Sequence, residues 1–214
     1  MNVAALIADV VQSREIVQRA EFQRTLKTVL SVVSKRSRKR LLSPFTLTLG
    51  DEFQAVYGSF DSLFADIFEI IHAIFPEPIR FAIAYGPLST EINPRAALGM
   101  DGRAFSDARD LLHGLKKQQR SIIQLAAMEP FETALADISL RLLANEMQTW
   151  TRNTCSVFHS LVQGASVEEA ALRSSITRRG AYKAIATHHL RDYIELLESL
   201  TAELTRWLQA GEEA

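Results

Sequence analysis

Along the first part of the chain the apolar positions switch between the period of strands and that of helices. Val3-Ala4-Ala5-Leu6-Ile7-Ala8 is an unbroken apolar run of strand length, the pattern of a strand covered on both faces. Phe22, Leu26, Val29, Leu30 and Val33 recur at helical spacing and predict a helix over 20–34. Phe45, Leu47 and Leu49 then alternate with Thr46 and Thr48, the period of a half-buried strand. Gly50-Asp51-Glu52 reads as a turn, and Phe53 to Tyr57 resumes a strand, so the segment predicts a hairpin with Asp51 near its tip. Phe60, Leu63, Phe64, Ile67, Phe68 and Ile71 predict a helix over 60–74, stopped by Pro76 and Pro78. Alternation returns from Ile79 to Tyr85. Pro87, Pro94, Gly99 and Gly102 mark an ordered loop, followed by a helix over 103–117 and a strand over 121–126.

The predicted order, β-α-β-β-α-β-α-β, contains the ferredoxin-like β-α-β-β-α-β arrangement, an antiparallel sheet with helices on one face. After residue 128 no strand pattern remains, and 130–163 and 166–209 read as helical. The expected fold class is therefore α+β: a ferredoxin-like palm domain over residues 1–128, then an all-α, helix-turn-helix-like domain over 129–214.

Composition changes this picture little. The chain of 214 residues is 47% hydrophobic and 23% charged, enough for a sizeable core. Its net charge of −1 means that any nucleic-acid binding must come from a local patch. The single cysteine, Cys155, excludes an internal disulfide and a thiolate zinc site, and suits a reducing cytoplasm. The opening apolar run ends at Asp9, too short for a signal peptide or membrane span, so a cytoplasmic protein without membrane contact is expected.

The candidate chemistry is a pair of carboxylates. In a β-α-β-β fold the end of the first strand lies beside the following hairpin, and Asp9 and Asp51 occupy those two places. Mg²⁺ takes oxygen ligands and is usually held by one or two carboxylates together with substrate phosphates. Asp9 and Asp51 are therefore the expected metal ligands. The turn after Asp9 carries Ser13 and Arg14, whose hydroxyl and guanidinium suit phosphate. Either Asp alone is explained by strand-end or turn chemistry; the pair in adjoining places points to a metal or phosphate site.

Ala8-Asp9-Val10-Val11-Gln12-Ser13-Arg14 and Thr48-Leu49-Gly50-Asp51-Glu52-Phe53-Gln54 resemble the opening and hairpin motifs of the SatD family of bacterial proteins. Ile79-Arg80-Phe81, Gly86-Pro87, Ser89-Thr90-Glu91-Ile92-Asn93 and Gly99-Met100-Asp101-Gly102-Arg103-Ala104-Phe105 continue the resemblance, which spans roughly residues 1–126. More distantly, the same segments resemble the palms of nucleotide cyclases and GGDEF-type domains, and Leu49-Gly50-Asp51-Glu52-Phe53 is one residue from the GGDEF signature. That resemblance implies a nucleotide cyclase-like fold in which Asp9 and Asp51 bind metal and a nucleotide triphosphate. It also puts Arg109 on the phosphate. The ribose-side Asn of the cyclases falls on Phe105, or on Ser106 with a one-residue shift, so the match is incomplete there.

Near the C-terminus, Ser166 and Thr177 stand where they cap two short helices separated by Arg173-Ser174-Ser175-Ile176. This predicts a helix-turn-helix over about 166–187. Its second helix carries Arg178, Arg179, Tyr182 and Lys183, residues suited to phosphate and base-edge contacts with DNA. In bacterial regulators of this kind a glycine commonly sits in the turn; here Ser174 or Ser175 takes its place. Residues 146–214 hold seven Lys/Arg against nine Asp/Glu, so only the stretch from Arg173 to Arg191 is basic. Leu190 to Leu208 reads as a long amphipathic helix with Leu196, Leu197, Leu200, Leu204 and Trp207, suited to homodimerisation. The densest basic run, Lys35-Arg36-Ser37-Arg38-Lys39-Arg40, complements a helix C-terminus.

Together these features predict a nucleotide-responsive regulatory protein, with nucleotide and Mg²⁺ at the palm and DNA at the helix-turn-helix. Two other readings stand beside it: a metal-dependent nucleotidyl or phosphoryl transfer enzyme using the same acids, and a degenerate palm that acts only as a scaffold.

Overall fold

The structure is a computed structural model and describes residues 1–118, 123–126 and 130–210. Its elements are β1 (Asn2–Val10), a single 3-10 turn (Ser13–Glu15), α1 (Arg19–Arg36), β2 (Leu41–Leu49), β3 (Glu52–Tyr57), α2 (Leu63–Ile74), β4 (Ile79–Pro87), α3 (Arg103–Gln118) and β5 (Ile123–Ala126). Five further helices follow: α4 (Pro130–Met147), α5 (Arg152–Val162), α6 (Val167–Arg173), α7 (Arg178–Thr187) and α8 (Leu190–Ala210). Positions 121 and 122 of the expected last strand lie outside the described residues.

The strands form one sheet in the order β2-β3-β1-β4-β5. The first four are antiparallel and have the ferredoxin-like order, with the continuous apolar strand β1 at the centre. The fifth lies parallel to β4, joined to it through α3 as a crossover helix. This is the palm fold expected from the sequence, with one correction. The helices do not all lie on one face. Val3, Ala5 and Ile7 of β1, with Val56, Ala82 and Ala84, pack beneath Ala104, Phe105, Ala108 and Leu112 of α3. The physical reason is the unbroken apolar run of β1, which exposes hydrophobic side chains on both faces and needs a cover on each.

The other face is the larger core. Ala4, Leu6 and Ala8 meet Leu26, Val29 and Leu30 of α1 and Leu63, Ile67, Phe68 and Ile71 of α2. The same apolar cluster continues into the C-terminal helices through Leu140, Phe158, Ala181, Leu197 and Leu204. Phe158 of α5 meets Phe68 of α2 edge-on, 4.9 Å between centroids. Thr205 Oγ1 of α8 accepts from the Phe60 N–H at 3.1 Å. Helices α4–α8 are thus packed on the palm, and α8 turns Leu197, Leu204 and Leu208 inward.

Two glycines have conformational roles. Gly50 has φ +63° and is the first central residue of the two-residue turn between Leu49 and Glu52, the position that type II′ hairpins reserve for glycine. Gly102 has φ +143°, and a Cβ there would lie 2.6 Å from the Pro87 carbonyl oxygen. This close approach seats the start of α3 on the end of β4.

Candidate functional site

Strand register builds the site. Asp9 is opposite Glu52 on β3 and opposite Arg80 on β4. Side chains alternate between faces along a strand, so all three share the face on which α3 packs. They form a cross-strand row, Arg80–Asp9–Glu52, at the end of the sheet where the hairpin turns. Lys116, in the last turn of α3, completes it from above. Its Nζ lies 3.3 Å from Asp9 Oδ2 and 3.4 Å from Glu52 Oε2. Arg80 Nη1 donates to the same Asp9 Oδ2 at 3.3 Å. Glu52 is held by Thr48, whose Oγ1 donates to the Glu52 carbonyl at 3.2 Å.

Asp9 is only 6% exposed. Both cations converge on Oδ2, while Oδ1 is buried with no hydrogen-bond partner among the described residues. Native structures seldom leave a buried carboxylate oxygen unmatched, and each exception calls for a reason. Burial raises the Asp9 pKa above its ordinary value of 3.8, and the nearby Asp51 charge adds to this. Lys116 and Arg80 pull in the opposite direction without overcoming it.

The other predicted residues are distributed around this row. Asp51 is half-exposed at the hairpin tip and close enough for its charge to act on Asp9. Ser13 is buried and Arg14 exposed in the 3-10 turn after β1. Gln12 opens that turn with φ +50°. The Val11 amide donates to the Pro78 carbonyl at 2.8 Å and the Glu15 amide to Gln12, so neither faces a ligand. Arg109 is exposed on α3, two helical turns before Lys116 and so roughly 10 Å along the axis from it. Phe105 is 1% exposed and belongs to the core beneath α3. The Ser106 hydroxyl donates to the Arg103 carbonyl at 3.0 Å.

Lys116 and Arg80 were not legible as site residues in the sequence. Lys116 has the place of an ordinary basic residue at a helix C-terminus, and Arg80 that of a polar position in an alternating strand. The available signal was register: in an antiparallel β1–β4 pair, the first polar residue of β4 falls opposite the last residues of β1.

The donor set suits a hard cation. Lys116 and Arg80 hold one Asp9 oxygen, and the other, unmatched oxygen is the kind of ligand that Mg²⁺ takes together with phosphate oxygens. Among the described residues no group of three or more His, Cys, Asp or Glu side chains converges on a metal-sized position.

In the C-terminal region, the capping residues are those expected. Ser166 Oγ accepts from the Glu169 amide at 3.2 Å, and Glu169 Oε2 accepts from the Ser166 amide at 2.8 Å, a complete capping box. Thr177 Oγ1 accepts from the Gly180 amide at 3.1 Å. Between α6 and α7, Ser175 adopts φ +53°, the left-handed conformation that a glycine would take there. Ala181 and Ile185 pack inward, while Arg178, Arg179, Tyr182 and Lys183 are all exposed on α7. Arg178 is ion-paired with Glu168.

No helix among the described residues is long and apolar enough to cross a membrane. Solved structures with similarity include a bacterial light-regulated adenylyl cyclase, 14% identical, covering 58% of this chain and 74% of that one with a TM-score of 0.44. The guanylate cyclase domain of RhGC from Catenaria anguillulae, in complex with GTP, is 17% identical, with coverages of 50% and 70% and a TM-score of 0.39. A non-canonical dimeric guanylyl cyclase domain of the RhoGC fusion protein from Blastocladiella emersonii is 16% identical, with coverages of 64% and 83% and a TM-score of 0.43. No curated protein matches the chain. The SatD family model matches residues 3–189, spanning both the palm and the first helices packed on it, and the chain belongs to the SatD family.

Proposed function

We propose that the protein is a nucleotide-responsive regulator, whose palm binds a Mg²⁺-nucleotide at Asp9 and Asp51 and whose α6–α7 pair binds DNA. The observation that carries the first part is the Asp9 carboxylate. A buried acid with one oxygen ion-paired and the other unmatched is costly unless a ligand completes it. Bound there, Mg²⁺ would neutralise phosphate charge. Lys116 and Arg80 favour the ionised form of Asp9, and Lys116, 40% exposed, can also turn toward an anionic phosphate. Ser13 and Arg14, in the 3-10 turn after β1, are the further phosphate donors of this reading. Arg109, on the same helix as Lys116, serves a more distant phosphate. Turnover is not part of the proposal, because Phe105 is packed in the core and offers no polar group to a ribose.

The second part rests on the exposed cationic side chains of α7 and on the left-handed residue in the α6–α7 turn. The joint presence of the two sites motivates a regulatory reading, in which nucleotide occupancy biases the position of α7.

Calorimetric titration with ATP and with GTP, each with Mg²⁺, tests the palm. Saturable binding by the wild type, weakened at least about tenfold in Asp9→Ala and Asp51→Ala, is expected. A wild type that binds neither nucleotide overturns the reading. Conversion of a bound triphosphate to product would replace it with the enzyme reading.

A further inference from the structure

The basic run that the palm site does not use opens onto a groove. Arg36 turns away from it, with Nη2 2.9 Å from Asp66 Oδ1 and Nη1 2.7 Å from Glu69 Oε2. Its neighbours Lys35 and Arg38, with Lys27 about two turns before Lys35 on α1, instead line a cavity of about 630 Å³ between α1 and the edge strand β2. That volume is in the range of small-molecule sites. The floor is apolar: Leu30, Leu41, Leu42, Phe45 and Leu47, with Pro94 from the loop after β4. Among the described residues no acidic side chain lines it. None of Lys27, Lys35 and Arg38 has a carboxylate partner among the described residues.

The groove exists because β2 is irregular. Its register with β3 shifts at three places, between Leu41 and Ser43, Ser43 and Thr46, and Leu47 and Leu49. Such bulges bend an edge strand away from its neighbours. The bend opens apolar side chains beneath the cationic end of α1. A peptide adding to the edge as a further strand is disfavoured. Pro44 has no N–H, and the Phe45 N–H already donates to Ser34 Oγ at 3.0 Å. Two successive backbone donors are therefore lost in the middle of the edge. Ser34 itself also lines the cavity.

We propose that this groove is a binding site for a small amphipathic anion, a carboxylate or phosphate monoester with an aliphatic or aromatic tail. The tail would lie on Leu30, Leu41, Phe45 and Leu47, and the anionic head would meet Lys35, Arg38 and Lys27. Three unpaired cations over an apolar floor complement both ends of such a molecule. A purely inorganic anion leaves the floor unused, and an apolar neutral molecule leaves the cations unused.

The test uses the full chain and decanoate as probe. Calorimetry is expected to show saturable one-site binding. Amide chemical shifts should change in 27–47 and around Pro94, and not around Asp9 and Asp51. Lys35→Glu combined with Arg38→Glu, both exposed and remote from the palm site, should weaken decanoate by about tenfold or more. Decanol and inorganic phosphate should each bind more weakly than decanoate. A cooperative thermal melt and a wild-type circular dichroism spectrum in the double variant would show that it is folded, and Asp9→Ala should bind decanoate as the wild type does. The proposal is overturned if decanoate does not saturate, if the shifts map elsewhere, if the double variant binds it unchanged, or if inorganic phosphate binds as tightly, which would mark a bare phosphate patch.

Discussion

Lys116 reaches from the last turn of α3 to bridge Asp9 and Glu52, 3.3 Å from one carboxylate and 3.4 Å from the other. It ties the crossover helix to the strand row that carries Asp9. Its charge is one of two that oppose the upward effect of burial on the Asp9 carboxyl. In the proposed reading, the ligand binds ionised Asp9. Affinity for a Mg²⁺-nucleotide should therefore fall on acidification, with a midpoint above the ordinary carboxylate value of 3.8. Replacing Lys116 with Met removes a cation and should move that midpoint further up. Affinities measured across the acid range for the two proteins check this; coincident midpoints would sink the assigned role of Lys116.

Asp66 makes the second prediction. It is fully buried in α2 and accepts three hydrogen bonds, from Ser37 Oγ at 2.7 Å, Arg36 Nη2 at 2.9 Å and Tyr57 OH at 3.0 Å. These join the end of α1, the end of β3 and α2. Removing one partner of a buried charged network costs about 3–5 kcal/mol, because the remaining polar groups are left unmatched. For a chain of this size Asp66→Ala should lower the melting temperature by roughly 6–20 °C. Tyr57→Phe, which removes one donor, should cost only about 1–2 kcal/mol. Thermal melts that rank the two variants in the opposite order would contradict the network.

Stability toward acid follows from the junction of α2 and α5. The rings of His72 and His159 stack with centroids 4.4 Å apart and planes within 6°. Burial, with the His159 charge beside it, lowers the His72 pKa below 6.5; Glu69 acts against this and Arg152 with it. The His159 hydrogen bond to Glu69, reinforced by Arg36, takes the Glu69 carboxyl from 4.5 to about 2. Both folded values lie below the unfolded ones, so at acid pH the unfolded chain binds more protons. Each group therefore contributes stability that is present above its unfolded pKa and lost as pH falls. His72 begins to act below 6.5, and Glu69 between 4.5 and about 2. Denaturant titrations over this range should show a two-stage decline, and His72→Gln should remove the upper stage while leaving the lower.

How much of this was readable from the chain varied with the kind of information. The strands and helices of the palm were legible because β1 is continuously apolar, β2 and β4 alternate, and Pro76 and Pro78 end α2. The side of the sheet on which α3 packs was missed, although the two-faced apolarity of β1 already required a second cover. Asp9 and Asp51 were visible because each stands at an abrupt end of an apolar pattern. Arg80 and Lys116 were not, since their partners come from other elements and only the register of three strands brings them together. Asp66 was a missed signal of another kind: an acid inside the apolar stretch Leu63 to Phe68 is affordable only when buried donors surround it.

The left-handed Ser175 and the exposed face of α7 make the last prediction. A non-glycine residue in this conformation costs about 1–2 kcal/mol. Ser175→Gly should therefore stabilise the chain by up to about 1 kcal/mol, and Ser175→Val should destabilise it. If α7 then enters a DNA groove, Arg179 and Lys183, exposed and without carboxylate partners among the described residues, are its free cations. Arg178 must first give up Glu168. Glu168→Gln is accordingly expected to raise DNA affinity, because it frees Arg178 and removes a negative charge from the interface. Arg179→Ala and Lys183→Ala should lower affinity, each reducing the slope of log affinity against log salt by about 1 if it contacts a phosphate. Fluorescence anisotropy with duplex DNA at several salt concentrations measures all three. Unchanged affinity and slope in both alanine variants would assign α7 to packing alone, because Ala181 and Ile185 are the side chains it turns to the core.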